Sequence, residues 1–575
     1  MVKIFRRNGL EIFLAVVLLL FFALLCWKSQ KWNSVTVDEF AHLPAGYFYW
    51  QTKNFILYSE NPPLVKLLSS LPLLWMKPKP KLEFYSYNLI QDSWLYGTDF
   101  MLKNTNHYLK IFERARAVII FLGMVLGLLV YLFSRSHYGR LGGIFSLMVF
   151  VFCPSIMAHS QLATIDTGAS LFIFLAVISL IFYLKSPGWK RAVLAGMGLG
   201  LAQLAKFSSL SLLTFYFLIP VLLIWPFKKD QFSVKKLLLR TSQALLILLI
   251  WIFLVSAGYR FQGMFKPVSV FRFESQALKK AQSIFRPLRA PFPKIYLYGL
   301  DWQMLDVEQG EFPSYFLGKW YEGIDKRYFL VAWLVKMPIP IQILFLLAVF
   351  SGLRLKSSRR KFSPEEILIL CIMAWIFFIF SFKNALQIGF RYLLPILPMG
   401  YFMIGRLGRN WEGYSKRFKL GILVLFIWAL FENLLIYPHY LSYFNEFTAG
   451  PRYGHKVLLD SNLDWGQDLP SLAKFMKENK IEKIELGYFG HVFPELYGVN
   501  YQILGDKPRL EYSAISAQFY YGAGEFRYPV FYYAPLHLLR YGIVPIEISA
   551  KLIMPYHQKK PIAHCGYSIL VFKND

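Results

Sequence analysis

The chain has 575 residues, 56% of them hydrophobic, 18% aromatic and only 17% charged, with a mean hydropathy of +0.40. A soluble globular chain carries about a quarter charged residues, so this composition excludes an ordinary soluble domain. The net charge of +29 does not point to nucleic acid, because the basic residues collect in short loops between apolar runs, where they act as topology signals.

In chain order, apolar runs able to cross a hydrocarbon core of about 30 Å fall at 11–27, 115–133, 141–157, 168–184, 190–205, 209–225, 241–257, 330–350, 365–380, 392–405 and 419–436. The first, EIFLAVVLLLFFALLCW after MVKIFRRNGL, has the outline of a signal peptide but no small-x-small cleavage site, and is expected as a retained helix. The segments that would face the cytoplasm, MVKIFRRN, RSHYGR, KSPGWKR, PFKKDQFSVKKLLLR, GLRLKSSRRK and GRLGRNWEGYSKRFK, hold 23 Lys and Arg against only Asp230 and Glu412. That repeated bias puts the N-terminus inside. Three long pieces then face outward: a first loop at 28–114, a middle loop at 258–329 and a C-terminal segment at 437–575.

In the first loop, FAHLPAGYFYW and LVKLLSSLPLLW read as amphipathic helices at the membrane surface. The C-terminal segment alternates apolar stretches such as KIEKIELGYFG and YSILVFK with turn-like ones, the pattern of a small mixed α/β domain. The expected class is therefore a polytopic all-α membrane protein with about 11 transmembrane helices (residues 1–436) and an extracytoplasmic domain (437–575). Cys26, Cys153, Cys371 and Cys565 form no CxxC pair and suggest neither a disulfide framework nor a thiolate metal site.

Asp38 and Glu39 open the first outward loop, and on a helix they share a face with His42. Carboxylates beside a membrane are costly unless partnered. They could accept a proton from an acceptor hydroxyl or amine, hold a divalent cation, or simply cap the helix. Asp166, with His159, forms a second outward polar cluster in AHSQLATIDTGASLFIF, with helix capping again the plain alternative. Paired acids suit acid–base or metal chemistry better than isolated ones.

Lys66, Lys206, Lys336 and Arg391 stand at or near outward helix ends, where positive-inside anchoring does not explain them. They could hold a phosphate at the membrane surface or snorkel to headgroups. The stretch YPHYLSYFNEFTAGPRYGHKVLLDSNLDWGQDL carries Asn445, Glu446, Asp460, Asn462, Asp464, Trp465, Gln467 and Asp468, a set suited equally to sugar binding or to a closing turn. Nucleotide-binding loops, dinucleotide fingerprints and the common hydrolase motifs are missing from the sequence. An outward site of this kind suits an activated donor delivered on a lipid.

Taken in order, DEFAHLPAGYFYW, NPPLVKLL, TIDTG, LAKFS, RYLLPILP, YFNEF and DSNLDWGQDL resemble the bacterial phospholipid carrier-dependent glycosyltransferases of the GT-C superfamily, relatives of protein O-mannosyltransferases and aminoarabinose transferases. The resemblance spans nearly the whole chain. It implies a multi-pass protein of the bacterial inner membrane. Its partners would be a polyprenyl-phosphate-linked sugar and an extracytoplasmic glycan, lipid or protein acceptor, and transfer would proceed with inversion. By the same resemblance Asp38 is the catalytic base, Glu39 orients it or the acceptor, and Asp166 has a binding or metal-related role. Lys206 and Arg391 match basic positions near the donor phosphate. Where the O-mannosyltransferases have a histidine before the proline pair, this chain has Asn61, a departure bearing on a protein acceptor. The cofactor expectation is none beyond a possible divalent cation at Asp38, Glu39 and Asp166. Two other readings remain open at this level, a transporter or lipid flippase and a glycan-binding envelope-assembly protein.

Overall fold

The computed structural model describes residues 2–79, 89–218, 234–310, 313–353, 361–409, 411–505, 507–522 and 550–574. Six described helices are long and apolar enough to cross a membrane, and the pair Tyr328–Lys336 and Ile339–Gly352, bent by 109°, makes a seventh if taken as one span. Runs 11–27, 115–133, 141–157, 168–184, 241–257, 330–350, 365–380 and 419–436 fall on these spans, and the expected count of about 11 is not reached among the described residues. Runs 115–133 and 141–157 fall in one 45-residue helical stretch, Tyr108–Phe152, broken at Gly139. There φ is +80°, a left-handed value that glycine adopts without a Cβ penalty. Run 190–205 is the 17-residue helix Trp189–Ala205. Run 392–405 is a 3-10 turn, Phe390–Ile396, leading into the short helix Leu397–Ile404. The far half of run 209–225, and most of the basic loops 226–240 and 352–361, lie outside the described residues.

The first helix, Val2–Ser29, packs along Tyr108–Phe152: Phe22 meets Phe150, and Glu11 accepts from Tyr131 and Arg135. Burying an apolar stripe in this way holds helices together where propensity alone does not.

The first outward loop departs from the expected surface-lying helices. Its helix Val37–Thr52 is enclosed by protein, with every residue from Glu39 to Tyr49 buried. A capping box starts it, Thr36 and Glu39 satisfying each other's backbone N–H groups. The following short helix, Leu64–Ser69, lies so close that a Cβ on Gly46 would come within 2.2 Å of the Lys66 carbonyl oxygen. Only glycine permits that approach.

The C-terminal segment forms the expected mixed α/β unit. Its five-stranded sheet has the order β4-β3-β5-β7-β6, with β3 Ile484–Gly487, β4 Tyr501–Ile503, β5 Tyr512–Ser516, β6 Ala563–Cys565 and β7 Ile569–Lys573. The β3–β4 and β3–β5 pairs are parallel, and β7 runs antiparallel to β5 and β6. The middle loop contributes a hairpin of β1 Ser314–Phe316 and β2 Lys319–Tyr321.

Candidate active site

The turn 463–468 clamps the start of the Asp38 helix. Ser34 N donates to the Gln467 carbonyl (2.7 Å), Val37 N to the Trp465 carbonyl (3.1 Å), and the Ser34 hydroxyl to the Gly466 carbonyl (2.6 Å). Gly466 sits at φ +79°, and a Cβ there would meet the Phe489 carbonyl oxygen at 2.6 Å. The C-terminal polar phrase thus fixes where the first loop's helix begins.

Asp38 and Glu39, neighbours in sequence, have opposite fates. Glu39 is fully buried: Arg116 Nε and Nη2 donate to its two oxygens at 2.7 Å each, Ala163 N at 2.6 Å and Thr36 N at 3.0 Å. These donors engage both oxygens, and the carboxylate ties the start of the helix to Arg116 and Ala163. Arg116 also donates to the carbonyls of Gln30, Asn33 and Ser34. A charge within an apolar run was the available signal for Arg116, since such a residue faces protein rather than lipid.

Asp38 remains partly open, its side chain 16% exposed, and pairs with Arg391. The Arg391 guanidinium also lies 4.4 Å from the centre of the Trp465 ring, and its Nε meets no protein partner. Burial disfavours the charge on Arg391, and Asp38, Tyr392 and Asp166 more than restore it. Beside this pair, Asp166, the first residue of helix Asp166–Lys185, accepts from Lys206 Nζ at 2.6 Å. Lys206, at the C-terminal cap of helix Trp189–Ala205, reaches over the Tyr392 ring at 5.1 Å. His159 Nδ1 stands 3.9 Å from Asp166 Oδ2. Two acid–cation pairs therefore meet around Tyr392 and Trp465.

His42 lies against Tyr58, ring centres 5.0 Å apart, and neither ring nitrogen meets a protein partner. Burial pushes its pKa down to about 4, against the opposing pull of Asp38. His159 is likewise pushed down to about 4 by burial. Both rings are neutral near pH 7, able to donate one hydrogen bond and accept another.

The other expected site residues already hold partners within the protein. Lys66 gives its three protons to Tyr49 Oη (2.8 Å), the Tyr58 carbonyl (2.7 Å) and the Asn61 carbonyl (2.8 Å), and burial holds its pKa well below the usual lysine range. Lys336 donates to the Leu441 and Asn462 carbonyls and lies over Phe444. All three donors of Lys66 and two of the three of Lys336 are thus taken within the protein. Asn445 binds the Leu334 and Met337 carbonyls, and Glu446 is exposed and accepts from Trp428. Asp464 is buried, accepting from Gly466 N and Gln518 N. Trp465 is 2% exposed, with the Arg391 guanidinium over its ring.

The possible cation site at Asp38, Glu39 and Asp166 is not assembled, because each carboxylate faces its own Arg or Lys. Among the described residues, no group of three His, Cys, Asp or Glu is placed to hold a metal ion.

His491 and Trp94 were not legible in the sequence. They stack with ring centres 4.5 Å apart, and Phe40, two residues after Asp38, flanks both. Burial pushes the His491 pKa down to about 4, with Asp38 near enough to oppose the shift. Asp460 also feels Asp38, and burial pushes it up to about 6. Single histidines and tryptophans in polar loops carry no spacing signal.

Residues 109–255 match the family model described as dolichyl-phosphate-mannose-protein mannosyltransferase. No curated protein matches the chain. Among solved structures, ArnT from Cupriavidus metallidurans bound to undecaprenyl phosphate is similar at 12% identity and a TM-score of 0.46, covering 98% of each chain. The archaeal oligosaccharyltransferase AglB from Archaeoglobus fulgidus, in complex with an inhibitory peptide and a dolichol-phosphate, is 13% identical with a TM-score of 0.42, over 90% of this chain and 71% of that one. The S. cerevisiae protein O-mannosyltransferase Pmt1-Pmt2 complex bound to the sugar donor is 18% identical with a TM-score of 0.33, over 45% of this chain and 36% of that one.

Proposed function

We propose that this multi-pass protein is a glycosyltransferase that moves a sugar from a polyprenyl-phosphate donor to an acceptor on the side of the membrane bearing Asp38. The observation that carries this reading is the Asp38–Arg391 pair beside Asp166–Lys206, at the ends of apolar helices. A lipid-linked phosphate reaching this surface meets two cations whose present partners are carboxylates. The donor's phosphodiester carries one negative charge over two oxygens that fit arginine's planar fork, and that charge grows as the sugar departs. Its arrival would draw Arg391 from Asp38 and leave that carboxylate as a free base.

In the chemical step the acceptor's O–H or N–H gives its proton to Asp38 while the acceptor atom bonds to the anomeric carbon. The bond from that carbon to the phosphate oxygen breaks, and its electron pair leaves with the polyprenyl phosphate, stabilised by Arg391 and Lys206. Attack opposite the leaving group inverts the anomeric centre. Asp166 holds Lys206 in place, and His42 and the His491–Trp94 stack line the approach to Asp38, where neutral rings suit the acceptor. Glu39 and Arg116 act through the backbone that carries Asp38.

The test follows release of free polyprenyl phosphate from a panel of polyprenyl-phosphate sugars, using the purified full chain and a membrane extract as the acceptor source. Release that depends on both donor and protein supports the reading and identifies the sugar. No release across the panel, from protein that melts cooperatively, overturns it.

A further inference from the structure

The middle loop carries a second surface unrelated to the acid–cation site. The helix Val234–Gly258 shows Leu238, Leu245, Leu249 and Phe253 along one exposed face, the lipid-facing stripe expected of a membrane span. That stripe does not end with the helix. Phe253 meets Phe261, ring centres 5.7 Å apart, and the apolar surface continues through exposed Phe265, Val270, Ile284, Phe285 and Leu288.

The same segment is strongly basic. Residues 258–294 hold Arg260, Lys266, Arg272, Lys279, Lys280, Arg286, Arg289 and Lys294 against the single acid Glu274, and all eight basic residues are exposed. It stands on the side that bears Asp38: Gln262 Nε2 donates to the Lys53 carbonyl, and Tyr259 packs on Phe55 beyond the Asp38 helix. Cytoplasmic anchoring therefore does not account for these charges.

The surface is also held rigidly. The helix Gln276–Phe285 has its first N–H groups taken by Glu308, and Ser275 ahead of it is fixed by Asp301. Leu278 and Gln282 face inward, Gln282 binding the Val268 and Phe271 carbonyls, so Lys279, Lys280, Ile284 and Phe285 are displayed outward.

From the continuity with the lipid-facing stripe and the charge excess, we propose that residues 260–294 dock on the adjacent leaflet and select anionic phospholipid headgroups, with the apolar side chains entering the headgroup–acyl boundary. Basic side chains near an anionic surface act together and are screened by salt. This inference does not depend on the proposed enzymatic reaction.

The test uses the full chain in bilayer nanodiscs, with an environment-sensitive fluorophore on Ile284→Cys in a Cys371→Ser background, because Cys371 is the exposed native thiol among the described residues. Quenching by lipids spin-labelled at headgroup depth is compared in phosphatidylcholine and in phosphatidylcholine mixed with phosphatidylglycerol. The expected result is stronger quenching with phosphatidylglycerol. High salt should remove that increment in the wild-type background, as should the Lys279→Glu/Lys280→Glu/Arg286→Glu variant. Reversing three charges should cut the preference for the anionic lipid by about tenfold or more. A melting temperature equal to the parent's shows that the variant is folded; if it is not, the salt titration alone decides. A fluorophore reached by aqueous iodide and not by lipid quencher overturns the proposal and marks the face as one for a soluble partner. A phosphatidylglycerol increment that persists in high salt also overturns it.

Discussion

Arg391 and Asp38, 353 residues apart in the chain, form an ion pair in which the guanidinium is backed by the Trp465 ring. Each partner is also suited to another role, Asp38 as a proton acceptor and Arg391 as a phosphate ligand. In the proposed reaction the pair is a resting contact that the donor phosphate opens.

Replacing Asp38 by Asn removes the base and keeps the shape. Turnover should fall by about 10²–10⁴-fold, with the protein still folded and donor binding retained. Polyprenyl phosphate release and a donor-binding titration on the same preparation check this. Wild-type turnover in Asp38→Asn would remove Asp38 from the mechanism.

Arg391→Lys keeps a charge but loses the planar fork. If Arg391 grips the departing phosphate, the loss of a charge-assisted contact worth about 1.5–3 kcal/mol lowers kcat/KM by roughly 10–150-fold. Steady-state kinetics against donor concentration measure it. An unchanged kcat/KM would assign Arg391 to holding Asp38 alone.

Arg116→Met leaves the Glu39 carboxylate buried without its cation. Breaking a buried pair from one side costs about 3–5 kcal/mol, so this variant should melt well below wild type, and Glu39→Gln should melt lower as well. Asp38→Asn should lose less, because Asp38 is partly exposed and Asp166 still faces Arg391. Thermal melts of the three purified proteins separate anchoring from chemistry, and equal melting of all three would contradict the structural role given to Glu39.

His491→Ala removes one face of the stack with Trp94. Aromatic contacts contribute about 0.5–1.5 kcal/mol, so KM for the acceptor should rise roughly two- to tenfold while KM for the donor stays constant. A change confined to the donor would place the leaving lipid, not the acceptor, against this ring.

Burial pushes the Asp464 carboxyl up to about 8. A carboxyl with a raised folded-state pKa stabilises the fold while protonated, fully so below its unfolded value near 4, and that contribution is lost as pH rises through about 8. The melting temperature should therefore fall between about pH 5 and about pH 9 more steeply in wild type than in Asp464→Asn. Parallel curves would show that Asp464 is not the titrating group.

The sequence by itself determined the membrane class, the first helix and the strands within KIEKIELGYFG and YSILVFK, and it singled out Asp38, Asp166, Lys206 and Arg391 as residues to follow. Hydrophobic runs and charge bias are local signals, readable along a line because the bilayer and the pleated strand impose fixed lengths and periods. What a side chain pairs with is not local. Glu39 has the same neighbours in sequence as Asp38, yet it is held by Arg116 while Asp38 meets Arg391. Lys66 gives its protons to Tyr49 and to two carbonyls of its own loop, and Lys336 gives two of its three to carbonyls of the C-terminal segment. The stretch 463–468, equally plausible from sequence as sugar site or closing turn, is a clamp on Ser34 and Val37. Only the tertiary structure decided these assignments. A buried charge or amide takes whichever partner the packing brings within about 3 Å, from 5 residues away for Lys66 and Asn61 to 353 for Asp38 and Arg391.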